Sequence, residues 1–294
     1  MMNWLFPVLA VLIWAANTVV SKAAAAVIDP AAISLYRWLI AALVLSPVMA
    51  PQLRRQWPQL RPYLAKFAVL ALLGMVLYQC LAYFAAHSTS ATNMGVICAL
   101  IPLLGVLLNS LLFNFKPAPA AVLGVLVSLA GVLYLLGQGH PASLLAHGVN
   151  RGDALMLVGS SAYALYGILL RRWALPFAPW LILYVQVLLG VLMLIPVAAS
   201  AHSLAIVPSA IGLVLFAGIA SSVLAAYCWM IGVQQLGSEQ AAIFMNMLPL
   251  FTALIASLVL SETIHAYHWL GGGLILSGVV LAQGRGWILR RQAA

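Results

Sequence analysis

The sequence predicts an all-α membrane protein: ten transmembrane helices in two inverted five-helix repeats. Three observations predict it. Of its 294 residues, 65% are hydrophobic and 6% charged, where a soluble domain is about a quarter charged. The chain divides into ten apolar runs with short connections, each near the roughly 20 residues that cross a bilayer. Finally, Pro102, Gly124 and Gly131 recur as Pro249, Gly271 and Gly278, each 147 residues later.

The first span, 3–24, carries Trp14, Asn17 and Ser21 at positions that share one helix face. Its leader, Met1-Met2-Asn3-Trp4, lacks a positive n-region and a small-residue cleavage site, so the run reads as a retained span. The second, 31–50, follows Asp29 and carries Tyr36-Arg37-Trp38. The third, 66–86, clusters Tyr78, Gln79 and Tyr83. The fourth, 91–113, follows Ser88, Thr89 and Ser90, continues with Thr92, Asn93 and Met94, and contains Pro102. The fifth, 119–137, places Gly124 and Gly131 for close helix packing.

The sixth span, 152–172, starts with Asp153, whose charge suits the positive end of a helix dipole. It then presents Ser160, Tyr163 and Tyr166 as a stripe. The seventh, 177–198, holds Gln186. The eighth, 208–231, holds Tyr227 and Trp229. The ninth, 239–260, runs from Glu239 through Met245, Asn246 and Pro249 towards Glu262. The tenth, 268–286, contains Gly271-Gly272-Gly273 and Gly278. Proline inside a span removes a backbone bond and bends the helix, so Pro102 and Pro249 predict paired bends.

Cationic residues orient the chain. With the N-terminus inside, 10 of the 13 Lys and Arg residues face the cytoplasm: Arg54, Arg55, Arg61, Lys66, Lys116, Arg171, Arg172, Arg285, Arg290 and Arg291. Lys22, Arg37 and Arg151 are the others. This bias predicts both termini cytoplasmic in a multi-pass protein of the cell membrane, most simply the bacterial inner membrane. The net charge of +9 sits at span ends, where cations anchor to lipid, so no nucleic-acid partner is expected. The six histidines fall in or beside outer loops without ligand spacing, and Cys80, Cys98 and Cys228 lie in apolar runs. No metal and no cofactor are expected.

The repeat divides the chain into 1–146 and 147–294. Each copy has five spans, an odd number, so the second copy must enter the membrane upside down. Inverted repeats characterise secondary transporters that bind substrate near the midplane between the halves. Neutral amides and phenols converging there suit a polar-headed solute with an apolar body, and Trp, Tyr and Met suit bulky apolar parts. The candidate wall is Trp14, Asn17, Tyr78, Gln79, Tyr83, Asn93, Met94, Tyr163, Tyr166, Tyr227 and Asn246. Arg37 has three readings: an anchor that snorkels to the surface, a structural or gating pair with Glu262 or Asp29, or a contact for a substrate carboxylate. None of the four acids lies clearly at the bilayer centre, so facilitated, gradient-driven movement is the simpler expectation.

Several runs resemble the EamA-type repeat of the drug/metabolite transporter superfamily. They are Ile13-Trp14-Ala15-Ala16-Asn17, Tyr36-Arg37-Trp38, Gly152-Asp153-Ala154-Leu155 continuing to Ala162-Tyr163-Ala164-Leu165-Tyr166, and Met247-Leu248-Pro249-Leu250 continuing to Ser261-Glu262 and Gly271-Gly272-Gly273. Within the superfamily the chain most resembles the YddG-type exporters of aromatic amino acids. The resemblance implies ten helices in two inverted repeats, a cavity from the first, third, fourth, sixth, eighth and ninth, and export of amino acids or related metabolites by alternating access. The chain departs from symmetry where Glu262 has Phe115 as its counterpart. A monomer or weak homodimer is expected, with Gly131 and Gly278 available for contact between copies. One rival is a multidrug or other small-metabolite exporter. A membrane-embedded enzyme would need a nucleophile with a base, or metal ligands, and the sequence offers neither.

Overall fold

In hydrocarbon every peptide group must find its hydrogen bond inside the segment, so the apolar runs become helices. The computed structural model describes residues 4–114, 116–144 and 149–291, in backbone only at 238–239 and 282–291, and these residues contain no strand. The α-helices are α1 Leu5–Ala24, α2 Pro30–Leu60, α3 Leu64–Leu70, α4 Tyr78–Ala85, α5 Ala91–Cys98, α6 Ile101–Phe113, α7 Pro119–Leu136, α8 Arg151–Trp173, α9 Pro179–Ala199, α10 Pro208–Leu215, α11 Ala225–Leu236, α12 Ser238–Phe244, α13 Leu248–Leu260 and α14 Ala266–Arg291. Among the described residues, 7 helical stretches are long and apolar enough to cross a membrane, or 8 when the bent pair α5–α6 counts as one. Phe115 lies outside the described residues.

Helix starts follow local chemistry. The Asp29 carboxylate accepts from Ala31 N–H at 2.8 Å, the Ser90 hydroxyl from Asn93 N–H at 3.0 Å, and the Asn150 amide oxygen from Gly152 N–H at 2.7 Å. Each satisfies a donor that the helix cannot satisfy itself. Proline opens α2, α7, α9 and α10, where its missing N–H costs nothing and its fixed φ fits.

The stretch Pro30–Ala85 corrects the expected loop after residue 50. Helix continues through Pro51 and Pro58 to Leu60, then a 3₁₀ turn at Arg61–Tyr63 leads into α3. Pro47, Pro51 and Pro58 all lie on its exposed side, and Gln52, Arg54, Arg55 and Gln56 are good helix formers. The chain doubles back on itself, because Trp38 Nε1 donates to the Met75 carbonyl at 2.8 Å and Arg37 reaches Gln79 at 2.8 Å.

Geometry recurs at the sequence offset. A π-helical segment, Ala71–Leu77, joins α3 to α4, and a second, Phe216–Leu224, joins α10 to α11. Helices α6 and α13 each have 13 residues and start and end 147 positions apart. Each ends on a left-handed residue, Asn114 at φ 53° and Ser261 at φ 55°. Each also follows a break: α5 and α6 meet at 45° across Ala99–Leu100, and a 3₁₀ turn at Met245–Met247 precedes α13. Pro102 and Pro249 therefore occupy the first turn of a new helix rather than a mid-helix kink.

Helices α7 and α14 pack along their length. The Ser128 hydroxyl donates to the Ile275 carbonyl at 2.9 Å. Gly131 meets the Gly271 backbone, and Gly278 meets the Gly124 carbonyl. The partner moves back along α14 as α7 advances, so the two helices run antiparallel. The contact maps onto itself when the repeat counterparts are exchanged, as across a two-fold axis. The glycine faces expected to serve contact between copies are thus used inside the chain.

The core joins Val11 and Ala15 of α1 to Met94 and Ile97 of α5, Leu135 of α7, Met156 of α8 and Ile275 of α14. Large apolar side chains such as Leu43, Leu111, Leu258 and Val259 point outward. Their abundance on the outer surface matches a lipid environment rather than water.

Candidate functional site

Two aromatic groups stand inside the helix assembly. Tyr78 opens α4 directly after a π segment, and its ring lies 4.6 Å from that of Tyr163 on α8. Tyr163 stacks on Tyr166 at 5.3 Å. The Tyr166 ring runs over Gly74 of the π segment, where a Cβ would come within 3.0 Å of it, so the missing side chain makes the room. The Tyr78 hydroxyl lies 3.4 Å from Cys98 Sγ, at the α5–α6 break. On the other side, Trp14 of α1 and Trp229 of α11 face each other at 5.5 Å. Trp14 Nε1 donates to the Ser221 carbonyl of the second π segment at 3.2 Å. In a π segment the bonding register shifts, which leaves a carbonyl open to such a donor.

Arg37 joins these groups. It is 3% exposed. Its Nε donates to Ser222 Oγ at 2.8 Å, one Nη to Gln79 Oε1 at 2.8 Å and to Tyr83 Oη at 3.4 Å, and the other Nη to Ser221 Oγ at 3.0 Å. It is not a snorkelling anchor, and it pairs with none of the acids whose side chains are described. Asp29 caps α2 and accepts from His202 N–H at 3.1 Å. Glu262 accepts from Ala91 N–H, Thr92 N–H and Thr92 Oγ at 2.7, 3.0 and 2.8 Å. It bonds the start of α5 to the segment after α13, where the helix dipole favours a carboxylate. The expected Arg37–Glu262 and Arg37–Asp29 pairs are therefore absent. Asp153 is 4% exposed and accepts from Thr89 and from Asn93; tertiary packing buries a residue that its helix-start position left at the surface.

The remaining candidates divide. Asn17 sits half-buried on α1, and among the described residues its Oδ1, Asn93 Oδ1, Ser160 Oγ and both polar atoms of Gln186 have no hydrogen-bond partner. Met94 is 1% exposed and packs in the main core. Asn246 lies in the 3₁₀ turn before α13. Tyr227 stands apart: it is 46% exposed and pairs with Trp180 at 6.1 Å. Ser221, Ser222 and Gly74 carry no spacing that marks them in the sequence, and Cys98, expected only as a small residue of an apolar run, lies beside the Tyr78 hydroxyl. The adjacent serines in the apolar run Phe216–Leu224 were the available signal. A separate cleft of about 330 Å³, lined by Ser90, Glu262, His265 and His268 among others, lies at the α13–α14 connection. Among the described residues, no cluster of three His, Cys, Asp or Glu residues could hold a metal.

The model of the EamA-like transporter family matches residues 2–137 and again 150–283. The chain belongs to this family. It is a membrane transporter of that type, built from apolar helices in a lipid environment. YyaM of Bacillus subtilis (strain 168), described as an uncharacterized transporter, is 26% identical over 260 residues, covering 87% of this chain and 85% of that protein. An uncharacterized transporter of Archaeoglobus fulgidus is 27% identical over 284 residues, covering 93% and 94%. A known crystal structure superposes with a TM-score of 0.63 over 99% of both chains at 20% identity, a likeness of fold.

Proposed function

We propose that this transporter exports amino acids, chiefly aromatic or other bulky hydrophobic ones, and related metabolites by alternating access. The observation that carries the reading is the aromatic lining drawn from both sequence halves: Trp14 and Tyr78 from the first, Tyr163, Tyr166 and Trp229 from the second. Stacked rings suit a flat apolar side chain, and the neighbouring amides and Arg37 suit the polar end of an amino acid. The site proposed is Trp14, Asn17, Tyr78, Gln79, Tyr83, Tyr163 and Tyr166, with Asn93 in the first turn of α5 and Asn246 at the break before α13.

The architecture we propose for this function is ten spans in two inverted five-helix repeats, 1–146 and 147–294. The doubling back of Pro30–Ala85, the paired α5–α6 and α12–α13 breaks, and the antiparallel contact of α7 with its counterpart α14 support it. The two stretches matched by the family model support it also. The breaks before Pro102 and Pro249 are natural pivots for rocking one bundle against the other. The proposed orientation has both termini on the cytoplasmic side of a bacterial inner membrane, supported by the cationic loops, with the chain acting as a monomer or weak homodimer.

The test is flux of labelled phenylalanine and tryptophan from proteoliposomes holding the purified protein. The proposal expects saturable flux, with Tyr163→Ala lowering it at least tenfold while the variant still purifies as folded protein. Unchanged flux in Tyr163→Ala and Tyr78→Ala would remove these residues from the site. No flux of any aromatic amino acid, with flux of unrelated drugs, would favour a multidrug carrier.

A further inference from the structure

We infer that Arg37 is a receptor for a carboxylate: the guanidinium is the fixed cation of the transport site, and its anion arrives with the solute. The inference rests on the transport reading above and deepens it by naming the group that receives the solute's carboxylate and making that carboxylate a requirement for binding.

A buried cation costs several kcal/mol unless an anion or a full set of hydrogen bonds compensates it. Arg37 is 3% exposed, yet all its partners are neutral: the Ser221 and Ser222 hydroxyls, the Gln79 amide and the Tyr83 phenol. The three acids with described side chains are committed elsewhere: Asp29 to α2 and His202, Asp153 to Thr89 and Asn93, Glu262 to the start of α5. A guanidinium has five N–H donors. Four are directed at these partners, so one Nη hydrogen is left to offer. The neutral bonds hold the planar fork in one orientation, as bidentate carboxylate recognition requires.

The surroundings show where an anion would enter. The bonds from Arg37 to Ser221, Ser222 and Tyr83 are fully buried, while the bond to Gln79 is only partly buried. Gln79 adjoins Tyr78, whose ring begins the aromatic stack. On the opposite side, Ser221 accepts from Arg37 through its hydroxyl and from Trp14 through its carbonyl. A solute with a carboxylate at Arg37 thus has its apolar body between Trp14 and Tyr78. The carboxylate displaces the Gln79 amide oxygen, exchanging a neutral acceptor for a charged one.

The experiment measures thermal stabilisation of the purified full chain by phenylalanine, phenylpropionate and benzoate, each against its own amide. In the native protein each acid should bind about 10- to 100-fold tighter than its amide, the factor that a charge-assisted hydrogen bond supplies. Arg37→Gln should reduce that preference to less than threefold. Because Arg37→Gln can unfold the protein, Gln79→Glu provides a second arm. It keeps Arg37 and supplies an internal carboxylate, so acids should lose their advantage while the fold persists. An Arg37 that only fastens helices together predicts otherwise: Gln79→Glu would leave the acid preference intact. No preference for acids in the native protein, or a preference that survives Gln79→Glu, overturns the inference. Acid preference at Arg37 without amino-acid flux would instead overturn the proposed substrate and leave the carboxylate site standing.

Discussion

Replacing Gly131 with alanine puts a methyl group into the α7–α14 crossing. An ideal Cβ there lies 2.7 Å from the Gly271 carbonyl oxygen, 2.9 Å from Ile275 N and 2.9 Å from Leu274 Cβ, where ordinary contact begins at 3.4 Å. Two of the three obstacles are backbone and cannot rotate aside, so the helices must separate. Overpacking of this kind costs about 1–3 kcal/mol, against which alanine's better helix propensity returns about 1 kcal/mol. Because two of the obstacles are backbone, the cost falls in the upper part of that range, about 2–3 kcal/mol, and the net loss of about 1–2 kcal/mol corresponds to a fall of about 2–8 °C in a large domain. Gly105→Ala is the control, because a Cβ there meets nothing within 4 Å. It should hold or raise stability by about 0.5–1 kcal/mol. Thermal unfolding of the detergent-purified proteins at one fixed scan rate compares them, since unfolding of such chains is commonly irreversible. Gly131→Ala melting at or above the native protein, or Gly105→Ala falling with it, would refute the close-approach argument.

Three further outcomes are expected. Glu262→Ala removes the acceptor of three donors at the start of α5 and should lower stability by about 1–3 kcal/mol, read as a shifted melting midpoint; an unshifted midpoint counts against the cap. Asp29 gives an acid-dependent contribution. Burial raises its carboxyl pKa, but hydrogen bonds from Ala31 and His202 outweigh this and hold it below its ordinary value. A carboxyl lowered in the folded state adds stability above its unfolded pKa, near pH 4, that fades as pH falls through the folded value. Asp29→Asn should therefore be less stable than native above pH 4 and converge with it at lower pH, and a constant gap would contradict this. Trp14→Phe keeps the ring but removes the donor to the Ser221 carbonyl; it should raise the half-saturating concentration of an aromatic solute more than it lowers maximal flux, and an unchanged value would place Trp14 outside the binding wall.

Much of the fold is legible in composition and spacing. Apolar runs announce helices, and the recurrence of Pro102, Gly124 and Gly131 marks the counterpart of each. What spacing misses is the register of backbone bonds. The π segments at Ala71–Leu77 and Phe216–Leu224 contain no proline or breaker motif that would announce them. Of the candidate site, the aromatic rings and Arg37 stand out in an apolar chain, whereas Ser221, Ser222 and Gly74 are too small to be distinguished from ordinary packing residues. Tyr227 shows the converse: two residues before Trp229, and so on the opposite side of the helix, it faces outward onto Trp180, because which helix face turns inward is settled by packing.

The one-dimensional pattern determined that the chain lies in a membrane, that its apolar runs form helices and that its halves repeat, since runs of about 20 apolar residues satisfy their backbone bonds in hydrocarbon as helices and a repeat leaves matched spacing. Partners were decided only in three dimensions. Arg37 had Asp29 and Glu262 as candidates by charge, yet it meets serines, an amide and a phenol, while both acids cap helices. Charge in a sequence names what a residue attracts; the positions of α2, α4 and the second π segment decide what lies within 3 Å of it.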